Sequence, residues 1–178
     1  MHAAERCWRR RIGAVCPLQQ GRVRNCGAGT GLGCNLNIPL PAGSGHTTYL
    51  HAIDTIVVPA LRRYRPDMII VASGLDANAV DPLARQLLHS DSFRAMTTRM
   101  VDLADDLYGG RLAVIHEGGY AEAYVPFCGL AILEALAGKR SAVIDPELDF
   151  FMAQQPDQRV TDFQASLVQE MRDILQLD

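Results

Sequence analysis

Apolar positions along the chain fall into helical stripes separated by short continuous runs. Tyr49, Ile53, Val57, Leu61 and Tyr64 recur at steps of four and three, which places them on one face of a helix packed against something flat. Pro59 lies inside that stripe and, having no backbone N–H, predicts a kink. Pro66 ends the helical region, because the residue before a proline is pushed out of helical backbone. Met68-Ile69-Ile70-Val71-Ala72 then forms a continuous apolar run with β-branched content, the pattern of a central strand covered on both faces in a parallel sheet. A second helical stripe follows at Phe93, Met96, Met100, Leu103 and Leu107, with Ser90 or Ser92 as its N-cap and Gly109-Gly110 as its stop. Arg111 to His116 reads as the next strand, residues 121 to 137 as a third helix closed by Gly138, and residues 159 to 176 as a last amphipathic helix carrying Val160, Phe163, Leu167, Met171 and Leu175. Upstream, the glycine-rich run from Gly27 to Gly33 reads as a loop that leads into a strand through Asn35-Leu36-Asn37-Ile38-Pro39-Leu40. Strands alternating with helices predict right-handed crossovers and a three-layer α/β/α sandwich with a mainly parallel sheet.

Composition narrows the function classes. The chain has 178 residues, 48% of them hydrophobic and 21% charged, enough apolar material for one real core. A formal charge of -3 does not supply the positive field of a nucleic-acid binder. No apolar run approaches the roughly 20 residues of a membrane-spanning helix, and no secretory signal is readable, so the cytoplasm is the expected compartment. Residues 1–26 hold six arginines and one acid without a clear period of either kind, and are expected to be an irregular basic leader; residues 27–178 form the folded part. The five cysteines lack any C-x-x-C pair and read as buried or idle thiols rather than a disulfide framework or zinc knuckle.

Two segments leave the C-terminal ends of predicted strands, where parallel sheets present their ligands. They are Ser73-Gly74-Leu75-Asp76-Ala77-Asn78-Ala79-Val80-Asp81-Pro82-Leu83 and His116-Glu117-Gly118-Gly119-Tyr120. Asp76 offers a hard oxygen to a divalent metal, and Tyr120 behind two glycines brings a phenol close to a substrate carbonyl. The plainer alternatives are a loop cap for the aspartate and a tight turn with a packed ring for the tyrosine. Asp81 is expected to fix the loop before Pro82, His89 to lie at the surface, and Asp102, Asp105 and Asp106 to form the solvated side of a helix. His46 and His51, five apart, do not share a helical face as a metal pair would. The glycine run precedes a strand instead of following one and so does not fit a dinucleotide fingerprint. Ala42-Gly43-Ser44-Gly45 is not a nucleophile elbow.

Asn35 to Leu40, Ala72-Ser73-Gly74-Leu75-Asp76-Ala77 with Asp81-Pro82-Leu83, and His116 to Tyr120 occur in an order and at spacings that resemble the C-terminal half of a class II-like histone deacetylase or acetylpolyamine amidohydrolase. The resemblance runs from about Gly27 to about Gly138. It implies the arginase/deacetylase fold, here N-terminally truncated, and a catalytic zinc (Zn2+) above the strand ends. By the same resemblance Asp76 stands at the position of a zinc ligand, Tyr120 at that of the tyrosine that donates to the developing oxyanion, and Gly118 and Gly119 beside the substrate, an acetylated lysine or polyamine. The family's histidine pair and its Asp-x-His ligands have no counterpart in this chain. Because catalytic zinc sites usually have three protein ligands, the chain is expected to be an inactive fragment, with residues 1–26 replacing the missing half. The alternative is a non-catalytic α/β scaffold that self-associates as a homo-oligomer or binds a partner through exposed sheet or helix surface.

Overall fold

The computed structural model describes the backbone of residues 14–16 and residues 22–177 in full. Two parallel strand pairs organise it. Strand β1 (Ala14–Cys16) pairs with β2 (Asn35–Asn37), and β3 (Ile69–Ser73) pairs with β4 (Leu112–His116). β1 lies within the segment read as a leader, whose other positions before residue 22 are outside the described residues. The glycine run turns through a short tight helix at Gly29–Gly31, and Gly33 N–H donates to the Cys26 carbonyl at 2.6 Å. Asn35 and Asn37 both donate from Nδ2 to the Asn25 carbonyl, at 2.7 and 3.0 Å, so that side-chain amides tie residues 22 to 26 to β2.

The first helical stripe is continuous but not uniform. Helix α1 (His46–Ala52) widens into a π turn over Ile53–Val57 and resumes as α2 (Val58–Tyr64). Pro59 is in the first turn of α2, where its missing N–H costs little, and Val58 N–H reaches back five residues to the Ile53 carbonyl. The expected kink is thus a register change in the hydrogen-bond ladder. Arg65, at φ 52, closes α2 in left-handed backbone.

Helix α3 (Ser90–Tyr108) buries Phe93, Met100 and Leu103 as its stripe predicts, and Gly109, at φ 61, ends it. Its N-cap is His89 rather than a serine. Ser90 Oγ is engaged by donating to Asp145 at 2.5 Å, and Ser92 Oγ accepts from His89 N–H at 3.2 Å. Helix α4 (Val125–Ala137) packs on α3 and is closed by Gly138 at φ 62. It starts later than the apolar pattern implies, because residues 121 to 124 form a turn first. Short helix α5 (Leu148–Ala153) precedes α6 (Gln158–Leu175), whose N-cap Asp157 accepts from Val160 N–H at 3.0 Å.

Two expectations about covering are corrected. The β3–β4 sheet is packed on one face, where Ile69 and Leu112 meet Met100, Leu103, Ala104 and Tyr108. On the other face Ile70 and Ile115 are 63% and 53% exposed. Among the described residues a helical layer covers that sheet from one side only. In α6 the buried line is Gln164, Val168 and Met171, and Val160 and Phe163 are exposed. The helix is rotated so that Gln164 Oε1 accepts from Thr48 Oγ1 at 2.5 Å, a polar pairing that an apolar stripe cannot anticipate.

Candidate functional site

Because β3 and β4 are parallel and Ser73 is the register partner of His116, the two strands end side by side. Their exit loops therefore start adjacent and are laced together by backbone. Glu117 N–H donates to the Ser73 carbonyl at 3.0 Å, and Leu75 N–H to the Gly118 carbonyl at 2.6 Å. This crossed pair sets the loops before any side chain acts.

Asp76 and Tyr120 converge at Gly118. A Cβ placed on Gly118 would stand 3.1 Å from Asp76 Oδ2 and 3.5 Å from Tyr120 Cε2, so carboxylate and ring flank the same point. A side chain at Gly118 would be crowded by the carboxylate, which would have to give by a few tenths of an ångström. Gly119 has φ 143, and its Cβ would come within 2.9 Å of Leu75 Cβ, so both its backbone and its surroundings demand glycine. The Tyr120 ring is 53% exposed. Asp76 is half-buried, and its charge adds to the burial that pushes the Tyr49 phenol above its ordinary 10.0. His116 is exposed at the rim.

What spacing did not reveal is the reach of Asp81. Its carboxylate is 8% exposed and accepts three N–H groups, from Leu83 at 2.9 Å and Ala84 at 3.2 Å on Oδ1 and from Tyr120 at 2.8 Å on Oδ2. The expected turn-fixing role is present, and the bond to Tyr120 goes beyond it. Asn78, 1% exposed, also works inside the loop, donating to the Leu75 carbonyl at 2.7 Å and accepting from Val80 N–H at 3.1 Å.

The remaining candidates lie elsewhere. His89 is not at the surface: it is 3% exposed, with its ring stacked on His46 at 5.1 Å between centroids. His46 Nδ1 is 3.1 Å from Ser92 Oγ. Burial comes first in lowering both histidines from 6.5; Arg99 adds to it at His46 and the His46 ring at His89. His51 Nδ1 meets Thr55 Oγ1 at 3.2 Å, apart from the stacked pair. Asp102, Asp105 and Asp106 are exposed, and Asp106 pairs with Arg62 at 2.7 Å. Cys34 is disulfide-bonded, which corrects the idle-thiol expectation at that position, since pairing in space cannot be read from spacing along the chain. Cys128 is a free, fully buried thiol, pushed up to about 12 first by burial and then by the charge of Asp145.

Zinc was implied for the strand ends. Among the described residues no three of His, Cys, Asp or Glu cluster so as to hold a metal ion. Asp76 thus has no completed set of three such donors around it among the described residues, which does not fit a catalytic zinc site.

Parallel strands joined through helices, with two exit loops side by side at their C-terminal ends, define an α/β protein. The chain belongs to the histone deacetylase family: the model of the histone deacetylase domain matches residues 11–136. It is 60% identical over 133 residues to a histone deacetylase-like amidohydrolase of Pseudomonas aeruginosa, a match covering 75% of this chain and 35% of that protein. It is 37% identical over 140 residues to histone deacetylase 8 of Arabidopsis thaliana, covering 79% of this chain and 36% of the relative. Among solved structures, that of the histone deacetylase Clr3 superposes with a TM-score of 0.67 at 26% identity, covering 89% of this chain and 25% of that one. The chain thus spans little more than a third of the length of these two relatives. No helix among the described residues is long and apolar enough to cross a membrane.

Proposed function

We propose that this chain carries the loop side of a deacylase site for acetyl-lysine or acetylpolyamine amides and does not turn these substrates over by itself. The reading rests on the convergence of Asp76 and Tyr120 at Gly118. In it the exposed Tyr120 phenol donates its O–H to the oxygen of an acyl carbonyl as negative charge develops there, a contribution typically of roughly 100- to 1,000-fold in rate. Gly118 leaves the approach between ring and carboxylate open. Asp76 would supply one oxygen donor to a metal, and among the described residues no group of three His, Cys, Asp or Glu completes such a site; in this reading Tyr120 and Asp76 act only when the missing donors are provided.

The test is acetate release from an acetyl-lysine peptide and an acetylated polyamine with added zinc, together with metal analysis of the purified chain. No turnover and substoichiometric zinc are expected. Turnover abolished by Tyr120→Phe, or one tightly held zinc per chain, would overturn the incompleteness. A second reading, a scaffold that self-associates, is favoured by the exposed Ile70 and Ile115 on the open face of the β3–β4 sheet. Light scattering showing rising mass with concentration supports it, and a monomer at all concentrations counts against it.

A further inference from the structure

Asp81 does more than its own turn requires. An Asx turn is complete when a carboxylate accepts one or two N–H groups just ahead of it in sequence, and Oδ1 does this with Leu83 and Ala84. Oδ2 is then free to point to solvent, as it does at most loop aspartates. Here it turns inward and accepts the amide of Tyr120, 39 residues away, at 2.8 Å. We infer that Asp81 is a positioning residue for the Tyr120 phenol: one buried carboxylate ties the loop that carries Asp76 to the backbone of Tyr120 and so fixes where the ring stands relative to Asp76.

Three observations carry this. Gly119, immediately before Tyr120, has φ 143, and a Cβ on it would stand 2.9 Å from Leu75 Cβ and 3.1 Å from Val125 Cγ2, so the chain reaches Tyr120 through a residue with little intrinsic preference. The Tyr120 side chain is 53% exposed, so packing alone does not hold it. On the β4 side the last backbone tie, Leu75 N–H to the Gly118 carbonyl, stops two residues short, and beyond the ring the Ala121 carbonyl accepts the N–H groups of Tyr124 and Val125 at 2.9 Å. Coming from β4, the amide of Tyr120 is therefore the last fixed point before the ring, and Asp81 Oδ2 is its acceptor.

A carboxylate is specifically required. Its two oxygens face donors on opposite sides, so an asparagine of the same size would turn its NH2 toward Tyr120 N–H or toward those of Leu83 and Ala84, donor against donor. Misplacing a group by about 1 Å can cost roughly 100-fold in a reaction that depends on it, which is the sense in which Asp81 belongs to the site without touching a substrate. The inference deepens the proposed role of Tyr120 and takes its functional meaning from that reading; its structural content does not depend on metal or substrate.

The experiment is solution NMR on the full labelled chain, without metal or substrate. In the wild type we expect a scalar coupling across the hydrogen bond between the Tyr120 amide nitrogen and Asp81 Cγ, and a nuclear Overhauser effect between the Tyr120 ring and the Gly118 Hα protons. In Asp81→Asn, Tyr120 amide exchange should rise by about tenfold or more and the ring-to-Gly118 effect should vanish, with Leu75 amide exchange held within about twofold. Tyr120→Phe should keep both the amide protection and the ring contact. Absence of the coupling in the wild type, an Asp81→Asn chain in which Tyr120 is unmoved, or parallel loss of protection at Leu75 would each overturn the inference. If Asp81→Asn does not fold, the wild-type coupling and Tyr120→Phe decide alone. Acetate release and zinc content judge the deacylase reading separately, so either can fail without the other.

Discussion

The two faces of the β3–β4 sheet come from the same pair of apolar runs and have met opposite fates. Ile69 and Leu112 point into a packed layer with Met100, Leu103 and Tyr108, whereas Ile70 and Ile115, one and three residues along their strands, face outward and remain more than half exposed. Because strand side chains alternate, a run that is apolar at every position prepares both faces for burial. Preparation is not burial, and what covers a face is decided by other segments.

The sharpest way to break this comparison is a deletion on the covered face. Leu103 is 2% exposed, and Leu103→Ala should cost about 2 to 5 kcal/mol, the lost transfer energy plus the cavity left behind. Denaturant unfolding measures it, and a loss under about 1 kcal/mol would mean that this layer is loosely packed.

An intermediate effect comes from pH. His46 and His89 join the starts of α1 and α3, and α3 lies on the covered face. Both histidines are lowered from 6.5 by burial first; Arg99 and the neighbouring imidazole add to this, and Asp91 and Asp145 oppose it. The unfolded chain therefore takes up protons before the folded one. The contribution to stability is full above about pH 6.5 and is lost as pH falls below it toward the lowered folded values. Thermal melts should show the loss below pH 6.5, and His46→Gln should flatten it. Glu134 adds a separate acid limb. Hydrogen bonds from the Ser141 hydroxyl and backbone N–H come first in holding it down at about 2, with Arg94 contributing beside burial that opposes the shift. Its contribution is present above the unfolded value of 4.5 and is lost as pH falls through about 2.

On the open face, Ile70→Ser and Ile115→Ser should change stability by no more than about 0.5 kcal/mol and reduce concentration-dependent association. A cost approaching that of Leu103→Ala would show that the face is covered in solution.

Legibility in the sequence tracked how local each determinant was. The stripe of α3 and its glycine stop, the strand at β3 and the glycine close of α4 all follow from neighbours a few residues apart. The site was legible as two loops, since Asp76 and Gly118-Gly119-Tyr120 directly follow strand runs. The rest depended on contacts between distant segments. Asp81 reads as a turn residue until Tyr120 is beside it, His89 reads as exposed until His46 stacks on it, and α6 turns Gln164 inward, where Thr48 donates to it.

By itself, then, the sequence determined the succession of strands and helices, their stops, and the residue types at the two strand exits, because periodicity, glycine and proline act through backbone sterics over one or two turns. The tertiary structure alone decided which apolar face is covered, which polar side chains are buried with partners, and that one carboxylate joins two loops. Those outcomes are set by burial and hydrogen bonding between segments tens of residues apart, and such energies have no counterpart in local order.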